Sequence, residues 1–452
     1  MLSCQAAIQA WQPQVDLNST SLAATTPLAA TYTLIPPSPS ATATPSPIPA
    51  TPTLTPTPTP TLSPTPRPTS APEFLQVFEE LWLIIKNEYL YADFNGLDWD
   101  ATGEAYRQKI EAGLTQEEFY LAMDEMIQSL GDEHSVFLSP EDVASEDAEY
   151  AGIYDYVGIG ALTITIPERQ RVAILLIFPG SPAEEAGLKI HDSILEVNGL
   201  PILDENGLRI QSLQGPEGSQ VTLTVQTPGQ APRQVTLTRL QINSILPVPS
   251  QLLASPAGKR VGYIQLTNFY DLNMVEQIRK ALRDLTSDGP LDGLILDNRP
   301  NEGGSIDIIS ETLSFFTSGT LGHFINRQSE DPFRVLGENV NGSQDVPLAV
   351  LIGSRTASFG EIFAGILKDI GRAYLIGEQT GGNVEILYVY EFPDGSRAWI
   401  AHDTFRPLNN PDQDWEASGI LPDLIAPSNW DEITMETDPA VKTALEYFDK
   451  LP

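Results

Sequence analysis

The sequence predicts a mixed α/β fold, preceded by a segment that cannot form a packed core. Three observations support this prediction. Thr, Pro, Ser and Ala dominate residues 36–72, a helical pattern begins near Glu73, and after residue 243 apolar strands alternate with helical patterns. With 452 residues, the chain is long enough for two or three domains that each bury a core.

Charge and cysteine content exclude several classes of function. The formal net charge is -35, and residues 1–72 contain one acid, Asp16, and one base, Arg67, so the acidic excess lies in the remainder. Such a field repels nucleic acid and anionic lipid, so we expect no nucleic-acid partner. The negative charge either favours neutral or basic polypeptides as partners or only keeps the protein soluble. The single cysteine, Cys4, excludes an intramolecular disulfide framework and a multi-cysteine metal site.

Residues 1–72 are expected to form a Thr/Pro-rich disordered stalk. Fourteen prolines lie between Pro36 and Pro72, and proline removes hydrogen-bond donors and restricts φ, which favours an extended spacer. Met1 to Cys4 resembles the end of a bacterial lipoprotein signal, although the preceding apolar region is missing. A lost upstream signal and a chance match both stay open. Lipid attachment at Cys4 is the only membrane contact that the sequence suggests.

Residues 73–149 are expected to form a small helical domain. Apolar residues recur at helical spacing from Phe74 to Ile85, and further helical patterns follow at 105–111 and 116–127. The domain ends in Asp132-Glu133-His134-Ser135, where the preceding Gly131 ends the helix and places His134 on a loop. A lone loop histidine is usually a solvated side chain, so its role depends on context.

Residues 150–242 resemble a PDZ domain. The resemblance rests on Gly158-Ile159-Gly160-Ala161, on the short helix-forming run from Ser181 to Leu188, and on the strand and turn from Ile194 to Gly199. It implies a groove that takes an extended C-terminal peptide as an added strand, with the carboxylate held by residues 158–161. A module that only packs or regulates is the alternative. His191 departs from the pattern, because glycine is common at that position.

Residues 243–452 alternate between strands and helices, as expected of an α/β core. Strands are predicted at 261–269, 291–297, 346–352 and 373–376, and helices at 274–285, 306–316 and 359–370. Chemistry in such folds is found at strand ends. Two strand ends carry motifs, Asp297-Asn298-Arg299-Pro300-Asn301-Glu302-Gly303-Gly304 and Ser354-Arg355-Thr356-Ala357-Ser358-Phe359-Gly360-Glu361.

Each strand-end motif has a structural and a catalytic interpretation. Paired glycines can aim an N–H group at an oxyanion, or simply form a turn. Ser358 at the start of a helix has free N–H groups beside it, but with Glu361 it also fits a structural capping box. The motif residues alone leave both interpretations open.

Together with Gly377-Glu378-Gln379-Thr380-Gly381-Gly382, these motifs resemble the C-terminal processing and tail-specific serine proteases. That family has a crotonase-like α/β core with an inserted PDZ domain. The resemblance implies that Ser358 is the nucleophile. It also implies an oxyanion hole formed by the N–H of Phe359 and an N–H of Gly303 or Gly304, and no metal or organic cofactor.

Asn383 separates two branches of this family. In the Ser-Lys branch a lysine follows the last glycine of this run and a glutamine lies four residues later, whereas this chain has Asn383 and Leu387. Asparagine cannot accept the serine proton at neutral pH. The chain is more similar to the branch of the tricorn core and the retinoid-binding repeats. That resemblance implies His134 as base and Glu416, which precedes Ala417-Ser418-Gly419-Ile420-Leu421-Pro422-Asp423, as its partner.

The sequence therefore predicts a serine endopeptidase that cleaves polypeptides by acyl transfer through Ser358, His134 and Glu416. The PDZ-like residues would recruit substrate by its C-terminus or gate the site, in an exported or envelope-attached bacterial protein. The alternative is a catalytically inactive family member that binds peptide or lipid. Oligomeric state and cleavage preference are left open.

Overall fold

The computed structural model describes residues 71–132, 134–150 and 153–452. The predicted stalk, up to residue 70, and the proposed lipidation site Cys4 lie outside the described residues. Within the described part of the chain, no helix has both the length and the apolar character needed to cross a membrane.

The first described residues form three helices packed around one apolar cluster, as the periodicity predicts. The helices are α1 (Ala71–Glu88), α2 (Trp99–Glu111) and α3 (Gln116–Gln128). Phe78 and Phe119 are fully buried in the cluster. Helix α3 begins with a capping box in which Thr115 and Glu118 satisfy each other's backbone N–H groups.

After α3 the chain forms a short strand that joins a distant sheet. Strand β1 (Val136–Leu138) pairs antiparallel with β18 (Arg397–Pro407), so that Val136 lies opposite Trp399. Helix α4 (Pro140–Tyr150) follows β1. The other strands of this sheet are β13 (Gly319–Ile325), β14 (Glu330–Val335) and β17 (Ile386–Glu391). Our strand predictions did not include these four strands of residues 319–407.

Two sheets lie between residues 153 and 245. Strand β2 (Ile153–Gly158) pairs with β9 (Leu240–Ile245), and a six-stranded sheet has the order β3-β4-β5-β7-β8 with β6 beside β5. Its elements are β3 (Ala161–Ile166), β4 (Arg171–Ile177), α5 (Pro182–Glu185), β5 (Ser193–Val197), β6 (Leu200–Pro201), β7 (Gln220–Gln226) and β8 (Arg233–Thr238). Ser181 caps the N-terminus of α5, and its hydroxyl accepts the N–H of Glu184.

His191 takes up the turn conformation that would otherwise favour glycine. Its φ is 75°, a left-handed value that is rare for a residue with a Cβ. The ring is buried against the Trp430 side chain, and its Nδ1 lies 2.8 Å from the Trp430 carbonyl oxygen. Contacts with a distant residue therefore offset the local strain.

The core is a largely parallel sheet of order β10-β11-β12-β15-β16-β19. Its strands are β10 (Ser250–Ala254), β11 (Arg260–Gln265), β12 (Gly293–Asp297), β15 (Leu348–Ile352), β16 (Ala373–Gly377) and β19 (Leu424–Ile425). One face packs against α6 (Met274–Leu285), α7 (Ile306–Ser314) and α8 (Phe359–Asp369). A short helix, α9 (Trp415–Ser418), precedes β19, and the other face packs against the final helix α10 (Pro439–Lys450). The strands and helices predicted for residues 261–376 are confirmed, with ends that differ by a few residues.

A buried charge cluster ties the C-terminal segment to the first strand-end motif. The Arg299 guanidinium donates to Asp297 Oδ2 at 2.6 Å and to Asp438 Oδ2 at 2.7 Å, with all three side chains at most 8% exposed. It also lies over the Trp430 ring, 5.4 Å from its centroid. The Trp430 indole N–H in turn donates to the Ile174 carbonyl of β4. The residues after Leu424 therefore connect the core with β4.

We predict that Asp438→Ala lowers the free energy of unfolding by about 3–5 kcal/mol, because it leaves a buried arginine with one partner fewer. Urea unfolding followed by tryptophan fluorescence measures the change. The matched control is Glu330→Ala, which removes the exposed pair with Arg406 and should cost less than about 1 kcal/mol. Equal midpoints for the two variants would contradict the prediction.

Candidate active site

Ser358 lies at the start of α8 in a strained conformation. Its φ and ψ are 51° and -129°, values that cost a non-glycine residue roughly 1–3 kcal/mol and that persist where surrounding structure enforces them. Its side chain makes no capping hydrogen bond to the helix, so the capping-box interpretation of Ser358 and Glu361 is wrong. A sharp turn between strand and helix holds nucleophilic serines in other hydrolases.

The two predicted glycines pack against the serine turn and have no room for a side chain. A β-carbon added at Gly303 would lie 2.6 Å from Ser358 Cβ, 3.0 Å from its Oγ and 3.0 Å from the Phe359 nitrogen. A β-carbon at Gly304 would lie 2.1 Å from the Phe269 carbonyl carbon. The space beside the Ser358 hydroxyl and the Phe359 N–H is therefore open only because residue 303 is glycine.

The N–H groups of Gly303 and Gly304 are not equivalent. The Gly303 N–H donates to Asn301 Oδ1 at 3.0 Å, so it is already engaged. Since Phe359 is the first residue of α8, its N–H belongs to the helix end that lacks intrahelical acceptors. If this turn forms an oxyanion hole, the engaged Gly303 N–H leaves Gly304 as the second donor.

Glu361, one turn after Ser358, holds the loop that contains Asn383. Its carboxylate accepts the Thr380 hydroxyl, the Gly382 N–H at 3.0 Å and the Asn383 N–H at 2.7 Å. Burial raises the pKa of Glu361 above its ordinary value, although these hydrogen bonds oppose the shift. Glu361 thus anchors residues 380–383 to the helix that begins at Ser358.

The same loop leads directly to the predicted histidine and glutamate. The next two backbone N–H groups, of Val384 and Glu385, donate to Glu416 Oε2 at 2.6 and 3.2 Å. The other oxygen of this carboxylate, Oε1, lies 3.1 Å from His134 Nε2. Burial is the largest influence on the Glu416 pKa and raises it, but the hydrogen bonds from His134 and Val384 outweigh burial and lower the pKa overall.

The loop that carries His134 is held by its neighbours. Asp132 Oδ1 accepts the backbone N–H groups of His134 and Ser135 at 3.0 and 2.9 Å, and Oδ2 accepts the Ser135 hydroxyl at 2.6 Å. Ser135 Oγ in turn accepts the Ala401 N–H of β18 at 3.0 Å. Ser135 therefore fixes the loop to the sheet.

Sequence reasoning missed Glu385 and Tyr91. Glu385 is 4% exposed, its Oε2 lies 4.0 Å from His134 Nε2, and its Oε1 accepts the Tyr91 hydroxyl. Burial, assisted by the nearby Glu416 charge, raises its pKa to about 7. An acid between the buried residues Val384 and Ile386 was the available sequence signal, because charged residues seldom lie in apolar runs without a partner.

The structure thus brings the predicted residues into two directly contacting groups. Ser358 and Phe359 pack against Gly303, while His134 contacts Glu416. The loop of residues 380–385 contacts both groups, through Glu361 on one side and Glu416 on the other.

The predicted peptide-binding loop has its own internal partner. Burial raises the pKa of Tyr156 to about 12, and the nearby backbone N–H groups of Ala161 and Gly160 oppose this shift. A β-carbon at Gly158 would lie 2.7 Å from the Tyr156 ring. Ile159 is buried in the core of the surrounding sheet. The tyrosine hydroxyl therefore lies against the N–H groups that the resemblance assigns to a peptide carboxylate.

We predict that Gly303→Ala lowers the rate at which a fluorophosphonate labels Ser358 by at least about 100-fold, because the new methyl group displaces the hydroxyl and fills the oxyanion space. Gly353→Ala is the matched control, since its nearest new contact is Arg299 Cγ at 3.7 Å. Labelling rates measured by gel fluorescence separate the two variants. Similar rates would mean that the space beside Gly303 is not used.

Family models match three parts of the chain. The model of peptidase family S41 matches residues 260–426, the tricorn protease C1 domain matches residues 70–128, and the PDZ domain matches residues 175–227. The PDZ match confirms the predicted PDZ domain within residues 150–242.

Relatives match over most of the chain. The carboxyl-terminal-processing protease of Synechocystis sp. is 34% identical over 375 residues, which cover 81% of this chain and 84% of that protein. The chloroplastic carboxyl-terminal-processing peptidase 2 of Arabidopsis thaliana is 32% identical over 367 residues, 78% of this chain and 69% of that protein.

A solved structure agrees with these relatives. The photosystem II D1 C-terminal processing protease superposes with a TM-score of 0.56 at 27% identity, over 82% of this chain and 97% of that one. The family models, the relatives and the solved structure therefore all indicate a peptidase with a PDZ domain. The chain belongs to the carboxyl-terminal-processing proteases of peptidase family S41 and is a serine peptidase.

Proposed function

We propose that this peptidase cleaves polypeptides by acyl transfer, with Ser358 as nucleophile, His134 as general base and Glu416 as the carboxylate that orients the base. The observation that carries the proposal is the 3.1 Å contact between His134 Nε2 and Glu416 Oε1. It supports a Ser-His-Glu site because position 383, where the Ser-Lys branch has its base, is an asparagine whose N–H serves to bind Glu361. This contact also supports the proposed placement near the tricorn-core branch.

We assign each step of the proposed reaction to a named group. When the neutral imidazole donates its Nε2–H to Glu416, its lone pair is on Nδ1, which would accept the Ser358 proton. The hydroxyl oxygen then attacks the peptide carbonyl carbon, and the N–H groups of Phe359 and Gly304 stabilise the oxyanion. As the C–N bond breaks, the imidazolium returns the proton to the leaving amine. Water hydrolyses the acyl-enzyme by the same proton transfers, while the Glu416 carboxylate stabilises the imidazolium.

We propose that the PDZ domain recruits the C-terminus of the substrate. The relatives are carboxyl-terminal-processing proteases, which motivates a polypeptide substrate held by its free carboxylate. Residues 158–161 would bind this carboxylate once Tyr156 withdraws its hydroxyl from the N–H groups of Gly160 and Ala161. Substrate binding and gating of the site would then be coupled, because the substrate carboxylate competes with the Tyr156 hydroxyl for the same N–H groups.

The organisation proposed for the chain follows the sequence boundaries. Residues 1–72 would be a stalk, 73–149 a helical domain, 150–242 the PDZ domain and 243–452 a crotonase-like peptidase core. The stalk and Cys4 would attach the enzyme to the bacterial envelope after export. No metal or organic cofactor enters the proposed reaction.

We predict that Ser358→Ala abolishes fluorophosphonate labelling and that His134→Ala slows it by about 1,000-fold or more, because acylation loses its base. Asn383→Ala should slow labelling far less, since its backbone N–H, which binds Glu361, is kept. The same three variants are also compared in the cleavage of an unstructured protein substrate.

Two outcomes would overturn the proposal. If Asn383→Ala were more damaging than His134→Ala, the base would belong to the loop of residues 380–385. If the unmodified protein resisted labelling altogether, the inactive peptide- or lipid-binding alternative would be favoured. Circular dichroism of each variant separates loss of folding from loss of chemistry.

We predict that Tyr156→Phe strengthens binding of a short apolar peptide with a free C-terminus, because two N–H groups lose their internal acceptor. The gain should be about 1 kcal/mol, roughly fivefold in affinity. Calorimetry in a Ser358→Ala background measures binding without cleavage. The amidated form of the same peptide is the control and should gain nothing; an equal gain for both peptides would contradict the carboxylate-binding role.

A further inference from the structure

Three potential metal ligands converge at the proposed base. They are His134 Nε2, Glu385 Oε2 and Glu416 Oε1, and all lie within 4.8 Å of one another. The nitrogen lies 3.1 Å from the Glu416 oxygen and 4.0 Å from the Glu385 oxygen. Two acids and one imidazole beside each other occur in many proteins without a metal, so convergence alone assigns no site.

The second observation concerns Glu385. Its side chain is 2% exposed, and its Oε2 accepts no hydrogen bond within the described structure. A buried carboxylate oxygen without a donor carries a desolvation cost that a cation would remove. This oxygen points towards His134 Nε2 and has no role in the proposed reaction.

In each of the two carboxylates, one oxygen accepts hydrogen bonds that fix the side chain, and the other oxygen would bind the ion. Glu416 Oε2 is held by the Val384 and Glu385 N–H groups, and Glu385 Oε1 is held by the Tyr91 hydroxyl. Each acid therefore presents one oxygen to the imidazole. Hydrogen bonds of this kind fix ligand orientation at metal sites and raise metal affinity.

The donor set and its spacing suit zinc. Bonds of 2.0–2.2 Å in a tetrahedral site place neighbouring donors about 3.3 Å apart. The observed 3.1 and 4.0 Å from the imidazole nitrogen therefore need shifts of less than about 1 Å, and the two carboxylate oxygens, within 4.8 Å of each other, need to approach by at most about 1.5 Å. An imidazole with two carboxylates matches zinc better than magnesium or calcium, which prefer oxygen ligands alone. Two carboxylates also balance the charge of a divalent ion.

We propose that His134, Glu385 and Glu416 bind one Zn²⁺ ion and that this ion inhibits the peptidase. The inhibitory consequence rests on the proposed function of His134, whereas binding itself does not. Zinc on Nε2 requires the neutral imidazole tautomer that carries its proton on Nδ1. That tautomer has no lone pair for the Ser358 proton, so acylation stops until the ion leaves.

His402 provides a matched control within the same chain. It also lies between two carboxylates, but its Nδ1 faces Asp403 at 2.8 Å while its Nε2 faces Glu88 at 3.3 Å. Because the two nitrogens lie on opposite sides of the ring, these carboxylates cannot join the imidazole around one ion. His402→Gln removes a histidine beside acids without altering the proposed site.

The test is a titration of the full chain with zinc chloride in competition with a chromophoric chelator. One ion should bind per chain, with affinity lost in His134→Ala, lowered about 10–100-fold in Tyr91→Phe, lowered at least as much in Glu385→Gln and unchanged in His402→Gln. X-ray absorption of the zinc-loaded protein should show one imidazole among oxygen donors. Binding that is absent, or equal in the Glu385→Gln and unmodified proteins, would overturn the site.

Fluorophosphonate labelling separates this proposal from the proposed function. Zinc should suppress labelling of the unmodified protein and of His402→Gln, and EDTA should restore it. A protein that binds zinc in the titration but is never labelled keeps the metal site and loses the proposed reaction. A protein that is labelled equally with and without saturating zinc keeps the reaction and loses the inhibitory role.

Discussion

The pairing of β1 with β18 is the constraint on which the candidate site depends. The three residues of β1 begin two positions after His134, and their register opposite Arg397 to Trp399 fixes where that loop lies on the core. Ser135 adds a side-chain contact to the same strand through the Ala401 N–H. A strand of this length has little stability alone, so the histidine is positioned by tertiary structure that must form first. This pairing helps to bring His134, from the early helical part, to Glu416.

Steric exclusion shapes the other half of the site. Gly303 and Gly360 both lie so close to neighbouring backbone or side-chain atoms that a β-carbon at either would clash, at 2.6 Å from Ser358 Cβ and 2.4 Å from the Asn301 carbonyl oxygen respectively. Ser358 is thus held in its left-handed conformation by a tightly packed surround, which is the usual setting for stored backbone strain. The fold keeps Ser358 half-buried on a turn whose neighbours leave no space for a side chain at positions 303 and 360.

Much of this architecture was predictable, and the failures have physical reasons. Helix α6 and the parallel strands have strong periodicity or continuous apolar runs, so local pattern and fold agree. Strands β13, β14, β17 and β18 were not predicted. Although β13 pairs locally with β14 and β17 pairs locally with β18, their common sheet is completed by pairing of β18 with β13 and β1, which lie far away in the sequence. The same limit applies to the site. Ser358 and Glu416 lie in motifs, whereas the role of Glu385 depends on burial and on Tyr91, almost three hundred residues away. The capping-box interpretation of Glu361 was wrong because the groups that donate to its carboxylate, in residues 380–383, lie outside its own helix.

The segment between Leu424 and α10 contacts two parts of the fold that are distant in the sequence. Trp430 contacts β4 and His191, and Asp438 shares Arg299 with Asp297 at the end of the strand that leads to Gly303. A shortened protein that stops near residue 425 would keep every residue of the two catalytic motifs. It would nevertheless lose the contacts that Trp430 makes with β4 and that Asp438 makes with Arg299, so a minimal form of this enzyme has to retain the residues from Ala426 to α10.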